Sequence, residues 1–187
     1  MEKLVPKLRF LEFEGDWKKK EIGDVCKVDT GNKDTKNKID SGSYPFFVRS
    51  NTVEKIDSYS YDGEAILTSG DGVGVGKNFH YIIGKFDYHQ RVYCLKKFKA
   101  DISGKFLFFV FSENFYGRVI RLSAKNSVDS VRMDMITKMQ IGFPSLLEQQ
   151  KIATFLTSID DRIALLEKQK QGLETYKRGL MQQIFSL

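Results

Sequence analysis

At 187 residues the chain is long enough for one well-cored domain with a further element appended, and its 15 Phe, 8 Tyr and single Trp argue against a disordered tail. Thirty Lys and Arg against 24 Asp and Glu give a net charge of +6, with residues 77–105 carrying seven basic side chains against Asp87 and Asp101. A localised basic excess favours a polyanionic partner, because each neutralised phosphate releases counterions, although many soluble proteins are as basic without one. Cys26 and Cys94 stand far apart without paired spacing, which argues against a disulfide scaffold and fits a reducing compartment. The opening MEKLVPKLRFLEFEGDW lacks the apolar segment of a signal peptide, and no run approaches the about 18 apolar residues of a membrane span, so a soluble, cytoplasmic protein is expected.

Residues 1–20 read as an irregular lead-in in which Trp17, followed by three lysines, anchors a loop onto the core. GNKDTKNKIDSGS then reads as a polar loop, where Lys33, Lys36 and Lys38 fit phosphate contacts as well as they fit a solvated loop. From Tyr44 onward, YPFFV, EAILTS, YIIG, RVYCL and KFLFFVFS are strand-like in length and residue type, spaced as in a mixed or antiparallel β domain. LFFVFSENFYGRVIRL also fits a short helix packed on that sheet, and SVDSVRMDMITKMQIGFP fits one helical turn leading into a strand.

The tract SGDGVGVGKNFH (69–80) invites a phosphate-loop assignment and fails it. GxxxxGK[ST] needs Gly where Asp71 stands and Ser or Thr where Asn78 stands, and no frame supplies the third glycine of GxGxxG. Alternating glycines between two strands suggest instead a bare backbone loop for close approach, with Lys77 supplying charge, or a tight hairpin with no ligand. Cys26, His80, His89 and Cys94 match no zinc module. His89-Gln90-Arg91 adjoins a strand of the basic region, and Gln and Arg are the side chains that read adenine and guanine edges bidentately; a polar turn or buried network explains the same residues. No catalytic triad, HExxH, paired-Cys motif or methyltransferase Asn-Pro-Pro-Tyr/Phe signature is present, so the chain reads as a binder and not an enzyme.

From Pro144 the sequence reads as a single amphipathic helix. Ser145 followed by Glu148 fits a capping box. Ile152, Leu156, Ile159, Ile163, Leu166, Leu173, Leu180, Ile184 and Leu187 fall in one heptad frame, with Lys170 and Lys177 in the two remaining seam positions. Such a seam needs a second helix to bury it. Gly172 and Gly179 share the register of Leu165, next to Phe155 and Tyr176, which suggests either a second contact face or tolerated surface positions.

PSLLEQQKIATFLTSIDDRIALLEKQKQGLETYKRGLMQQIF resembles the conserved-region helix of type I restriction-modification specificity subunits, above all in EQQKIA (148–153), the Ile159-Asp160 step and KRGLMQQIF (177–185). LRFLEFEGDWKKKEIGDV (8–25) is similar to the lead-in of their target recognition domains, and residues 44–93 look like the body of one. The resemblance implies a non-catalytic subunit that reads a bipartite DNA sequence. It also implies that S-adenosylmethionine, ATP and Mg are used only by partner methyltransferase and restriction subunits. A full-length subunit has two recognition domains and two conserved helices where this sequence shows one of each.

The expectation is therefore an α+β fold: a mixed, β-rich target recognition domain over 1–144, then one long C-terminal α-helix over 145–187 that pairs as an antiparallel coiled coil. Antiparallel pairing separates Lys170 and Lys177 from their own copies. Ile152, Leu156, Ile159, Ile163, Leu166, Leu173, Leu180 and Ile184 form the seam of a homodimer, and two-fold symmetry predicts a palindromic split site. Phosphate contacts fall to Lys33, Lys36, Lys38 and Lys77, and base reading to Arg49, Asn51, Asp71, His89, Gln90 and Arg91. No metal site or cofactor is expected in this chain. Two other readings survive the sequence: a protein-interaction module presented on a coiled coil, and a metal-dependent nuclease using Asp34.

Overall fold

The computed structural model describes residues 6–72, 74–123 and 130–186; Val73 of the glycine tract, residues 127–129 at the start of SVDSVRMDMITKMQIGFP and the last seam residue, Leu187, lie outside them. In chain order the elements are β1 (Lys18–Glu21), α1 (Ile22–Val25), β2 (Lys27–Thr30), a 3-10 turn (Thr35–Asn37), β3 (Tyr44–Phe47) and β4 (Val53–Ile56), followed by β5 (Tyr61–Ser69), β6 (Phe79–Tyr88), β7 (Val92–Lys96), α2 (Gly104–Leu122), α3 (Met133–Thr137), β8 (Gln140–Phe143) and α4 (Leu146–Phe185). The fold is α+β. Contacts divide the chain into two units, Met1–Gln150 and Lys151–Leu187, so residues 145–150 of the expected arm belong with the globular unit.

Six strands form one mixed sheet in the order β2-β7-β5-β6-β3-β4. Its backbone is the long hairpin of β5 and β6, in register from Tyr61 opposite Phe86 to Thr68 opposite Phe79. The parallel pairing of β3 with β6 is what makes the sheet mixed. Side chains alternate across the pleat, so Ala65 and Leu67 pack with Phe47, Phe86, Tyr88, Val92 and Cys94 on one face. Ile66, between them, is also fully buried, so β5 is covered on both sides. Four of the five expected strand segments are strands; the fifth is not.

Residues 104–122 are a helix, which settles the open assignment against a strand at 105–112. Ser103 caps it by accepting from the Phe106 N–H at 3.2 Å. The aromatic neighbours Phe106, Phe108 and Phe109 give the segment its strand-like composition. Its buried positions tell otherwise: from Leu107 the steps to Phe111, Phe115 and Val119 are four residues each, which is one face of a helix. Phe79 of β6 meets this face, 5.4 Å from Phe111 and 6.3 Å from Phe115 between ring centroids. The lead-in also carries more order than its composition suggests, because β1 pairs antiparallel with β8 from Lys18 opposite Phe143 to Glu21 opposite Gln140. As expected, α3 is a short helix that delivers the chain to a strand.

At the base of α4 the expected capping box is half formed. The Glu148 N–H donates to Ser145 Oγ at 3.3 Å, but the Glu148 carboxylate turns to the lead-in. It accepts from Arg9 Nε and Nη2, both at 2.7 Å, and from Trp17 Nε1 at 3.3 Å. Trp17 meets Phe106 edge-on at 5.9 Å, so it does anchor the lead-in to the core. Gln149 is buried and makes three bonds. Its Oε1 accepts from the Ser103 N–H at 3.0 Å, and its Nε2 donates to the carbonyls of Asp101 and Pro144, each at 3.0 Å. The second unit continues α4 as unbroken helix to Phe185. Along it Ile159, Ile163, Leu166, Leu173, Leu180 and Ile184 are all exposed, while Ile152 and Leu156 are half-buried. Among the described residues, nothing lies within 4 Å of a Cβ added at Gly172 or Gly179.

Candidate nucleic-acid interface

Bonds between distant segments bring several of the polar candidates together. Arg49 follows β3, Asp71 follows β5, and His89, Gln90 and Arg91 make the turn from β6 to β7. Asp71 joins three of these segments. Its Oδ1 receives Arg49 Nη1 at 3.0 Å and its Oδ2 receives Arg91 Nη1 at 2.9 Å. The carboxylate is largely enclosed, 16% exposed, whereas the two arginine side chains are 45% and 62% exposed. The backbone beneath is fixed on both sides. Gly70 N–H donates to the Arg91 carbonyl at 2.8 Å, Val131 N–H donates to the Gly70 carbonyl at 2.7 Å, and Asp71 bridges to Ser130.

The lysine loop is tied to the same group. Gln90 N–H donates to the Lys33 carbonyl at 2.8 Å and Gln90 Nε2 donates to Asp34 Oδ2 at 3.3 Å. Asp34 also caps the 3-10 turn, accepting from the Lys36 N–H at 3.1 Å. The sequence marks Asp34 only as a candidate metal ligand for a nuclease. Its role as the joint between loop and turn rests on a contact across 56 residues, which no local pattern reveals. Among the described residues no three His, Cys, Asp or Glu side chains gather as a metal site.

The remaining candidates are dispersed. Asn51 is exposed two residues beyond Arg49. Lys38 pairs with Glu54 at 3.5 Å and Asp40 at 3.8 Å, and Lys77 stands 5.0 Å over the Tyr116 ring of α2. His89 is buried. Its Nδ1 accepts from the Arg91 N–H at 2.9 Å, so the ring shapes the turn from within. Burial first, then the nearby Arg49 charge, holds the imidazole below its ordinary pKa. His80 is shifted the same way by burial, with Nε2 3.1 Å from the Ser50 carbonyl. Cys26 and Cys94 are buried free thiols that burial pushes up to about 12, so both are inert as nucleophiles at neutral pH.

The glycine tract closes the β5–β6 hairpin with mostly internal reasons for its glycines. A Cβ at Gly74 would run into the Asn78 side-chain amide, and Gly76 has φ +65° with the Tyr116 ring 3.1 Å from its would-be Cβ. The basic stretch 77–105 is likewise divided among separate partners. Lys96 is buried against Asp29 at 3.1 Å, Lys85 lies over Tyr59 and Lys105 over Tyr81.

A family profile described as a type I restriction modification DNA specificity domain matches residues 14–175. The chain belongs to this family. It is 28% identical over 170 residues to the type I restriction enzyme EcoDI specificity subunit of Escherichia coli, covering 89% of this chain and 37% of that one. A putative type I specificity subunit of Mycoplasma pneumoniae is 29% identical over 161 residues, covering 80% of this chain and 43% of its own. The specificity domain also shares its fold with solved structures. The S subunit of a type I restriction-modification system from M. genitalium superimposes with a TM-score of 0.71 at 12% identity, over 90% of this chain and 45% of that one. The HsdS subunit from Thermoanaerobacter tengcongensis gives 0.61 at 14% identity, over 97% and 46%. This specificity-domain chain spans less than half the length of the curated relatives it matches.

Proposed function

We propose that the chain is a non-catalytic DNA-recognition subunit of a type I restriction-modification complex. Its globular unit reads one half of a bipartite site, and α4 joins it to a second copy. The observation that carries the reading is the Arg49–Asp71–Arg91 cluster, where two exposed guanidiniums from different strand ends converge on one carboxylate. Arginine forks of this kind suit nucleic-acid recognition. Lys33 and Lys36, on the loop tied to the same turn, supply phosphate contacts, and Lys38 and Lys77 contribute where their present partners release them. Asn51 and Gln90 complete the base-reading edge. S-adenosylmethionine, ATP and Mg belong to partner methyltransferase and restriction subunits, for which this chain is the scaffold.

The exposed heptad face of α4 supports pairing with a second helix. At 40 residues and 1.5 Å per residue the helix is about 60 Å long, enough to set a spacing along DNA. Antiparallel two-fold pairing makes the expected site palindromic and split. The test is binding of the full chain to random-sequence duplex DNA by fluorescence anisotropy across a salt series. Phosphate-dominated binding weakens linearly in log–log form as salt rises, by orders of magnitude for several contacts. Absence of binding, or binding indifferent to salt, overturns the DNA reading and favours a protein-interaction module.

A further inference from the structure

We infer that the half-site read by this domain contains a G·C pair whose guanine is held by Arg91, the more exposed of the two arginines, and that Asp71 is the positioning residue that aims its fork. The inference rests on the DNA-recognition reading above. A carboxylate stands at the centre of a surface proposed to meet a polyanion. Exposed ion pairs stabilise a fold little, so stability is a weak reason for Asp71 to be there. Orientation is a stronger one. The carboxylate is enclosed, and its backbone is pinned through Gly70 to Arg91 and Val131 and through its bridge to Ser130. Each arginine spends only Nη1 on it. Among the described residues, no other bond holds either guanidinium, so the Nε–Nη2 edge of each is left for a ligand.

Donor chemistry then selects the base. Arginine offers N–H donors and no acceptor. In the major groove guanine alone presents two adjacent acceptors, O6 and N7; adenine sets a donor beside its N7, and thymine offers one acceptor and a methyl group. A phosphate is a poorer fit at this point, because its oxygens compete with and are repelled by Asp71. Neutral base acceptors suffer far less of that repulsion. Holding a flexible side chain in advance also lowers the entropy lost on binding.

The experiment is selection from a random duplex library by the full chain, in parallel for wild type, Asp71→Asn and Arg91→Lys. Wild type is expected to enrich a motif with a G·C column. Asp71→Asn removes a negative charge from the DNA-facing surface, so its sequence-blind affinity rises while preference at that column falls at least about fivefold, the lower bound for one bidentate contact. A merely structural loss lowers both together. Arg91→Lys, which keeps the charge but not the fork, loses preference at a G·C column as well. Placing 7-deazaguanine there, which lacks the N7 acceptor, weakens wild type several-fold and Arg91→Lys much less. A motif without a G·C column, or a column that survives both variants, overturns the inference and leaves DNA recognition standing. Loss in Asp71→Asn alone, with Arg91→Lys and the deaza duplex unaffected, overturns it in favour of Asp71 reading the base itself. If wild type enriches no sequence, the proposed function fails and this inference with it.

Discussion

His89 shows how a residue singled out as a possible base reader becomes part of the scaffold beneath one. Its imidazole is buried and engaged as an acceptor, and its pKa lies below the ordinary 6.5, as does that of His80. The unfolded chain therefore takes up protons near pH 6.5 that the folded chain refuses until lower pH. Stability is full above about 6.5 and falls as pH drops toward the folded values, then levels below them. Denaturant melts between pH 8 and 5 check this. His89→Asn, whose Oδ1 can accept from the Arg91 N–H, is expected to flatten the decline, and an unchanged slope removes His89 as its source. Asp101, whose carboxyl is held low by its bond to Lys20, acts in the same direction only below about 3.8, outside this window. The chemistry of Arg49, Asp71, Gln90 and Arg91 was legible as residue type. Their convergence was not, because it depends on pairings between distant segments, Phe47 beside Tyr88 and Ser69 beside Val92.

At the scale of elements, five strands (β3 and β5 to β8), α3 and α4 were legible from residue type and period, and α2 was not settled. Over 105–112 nearly every residue is apolar or aromatic, so no polar face marks the period; only the continuation to Val119 reveals it. The strand β1 was missed because its partner β8 lies more than a hundred residues away. Glu148 and Gln149 are similar cases. They stand out as motif residues in EQQKIA, but their buried bonds to Arg9, Trp17 and Ser103 are long-range. Gln149→Leu keeps the bulk and strands one N–H donor and two carbonyls. It is expected to lower unfolding free energy by about 1–3 kcal/mol, since partial exposure of those groups lets water replace some bonds. Chemical denaturation reads the loss directly, and a change within error means that solvent replaces all three.

For the whole molecule, the proposed homodimer rests on the seam. Ile159 and Ile163 are 40% and 49% exposed on α4, so charging them leaves the globular unit's core untouched. Sedimentation equilibrium is expected to show a wild-type dimer and a monomer for Ile159→Asp with Ile163→Asp. A monomeric wild type means the seam is filled by a different chain, and the palindromic site falls with the homodimer. Lys170 and Lys177 bear on strand direction, since in a parallel in-register pair each faces its own copy.

The half-formed cap at Ser145 and the three bonds of Gln149 have a kinetic consequence for α4. Starting a helix is the unfavourable step, because several residues must be fixed before the first bond closes, whereas each later residue adds a bond as it is fixed. Here the opening turn is held by the globular unit. Residues 151–185 need only propagate from a nucleus already made, against the modest penalty of Gly172 and Gly179. Under the proposed pairing, whatever covers the seam thus meets a helix whose initiation does not wait for it, and association proceeds as docking of formed surfaces more than as folding on contact.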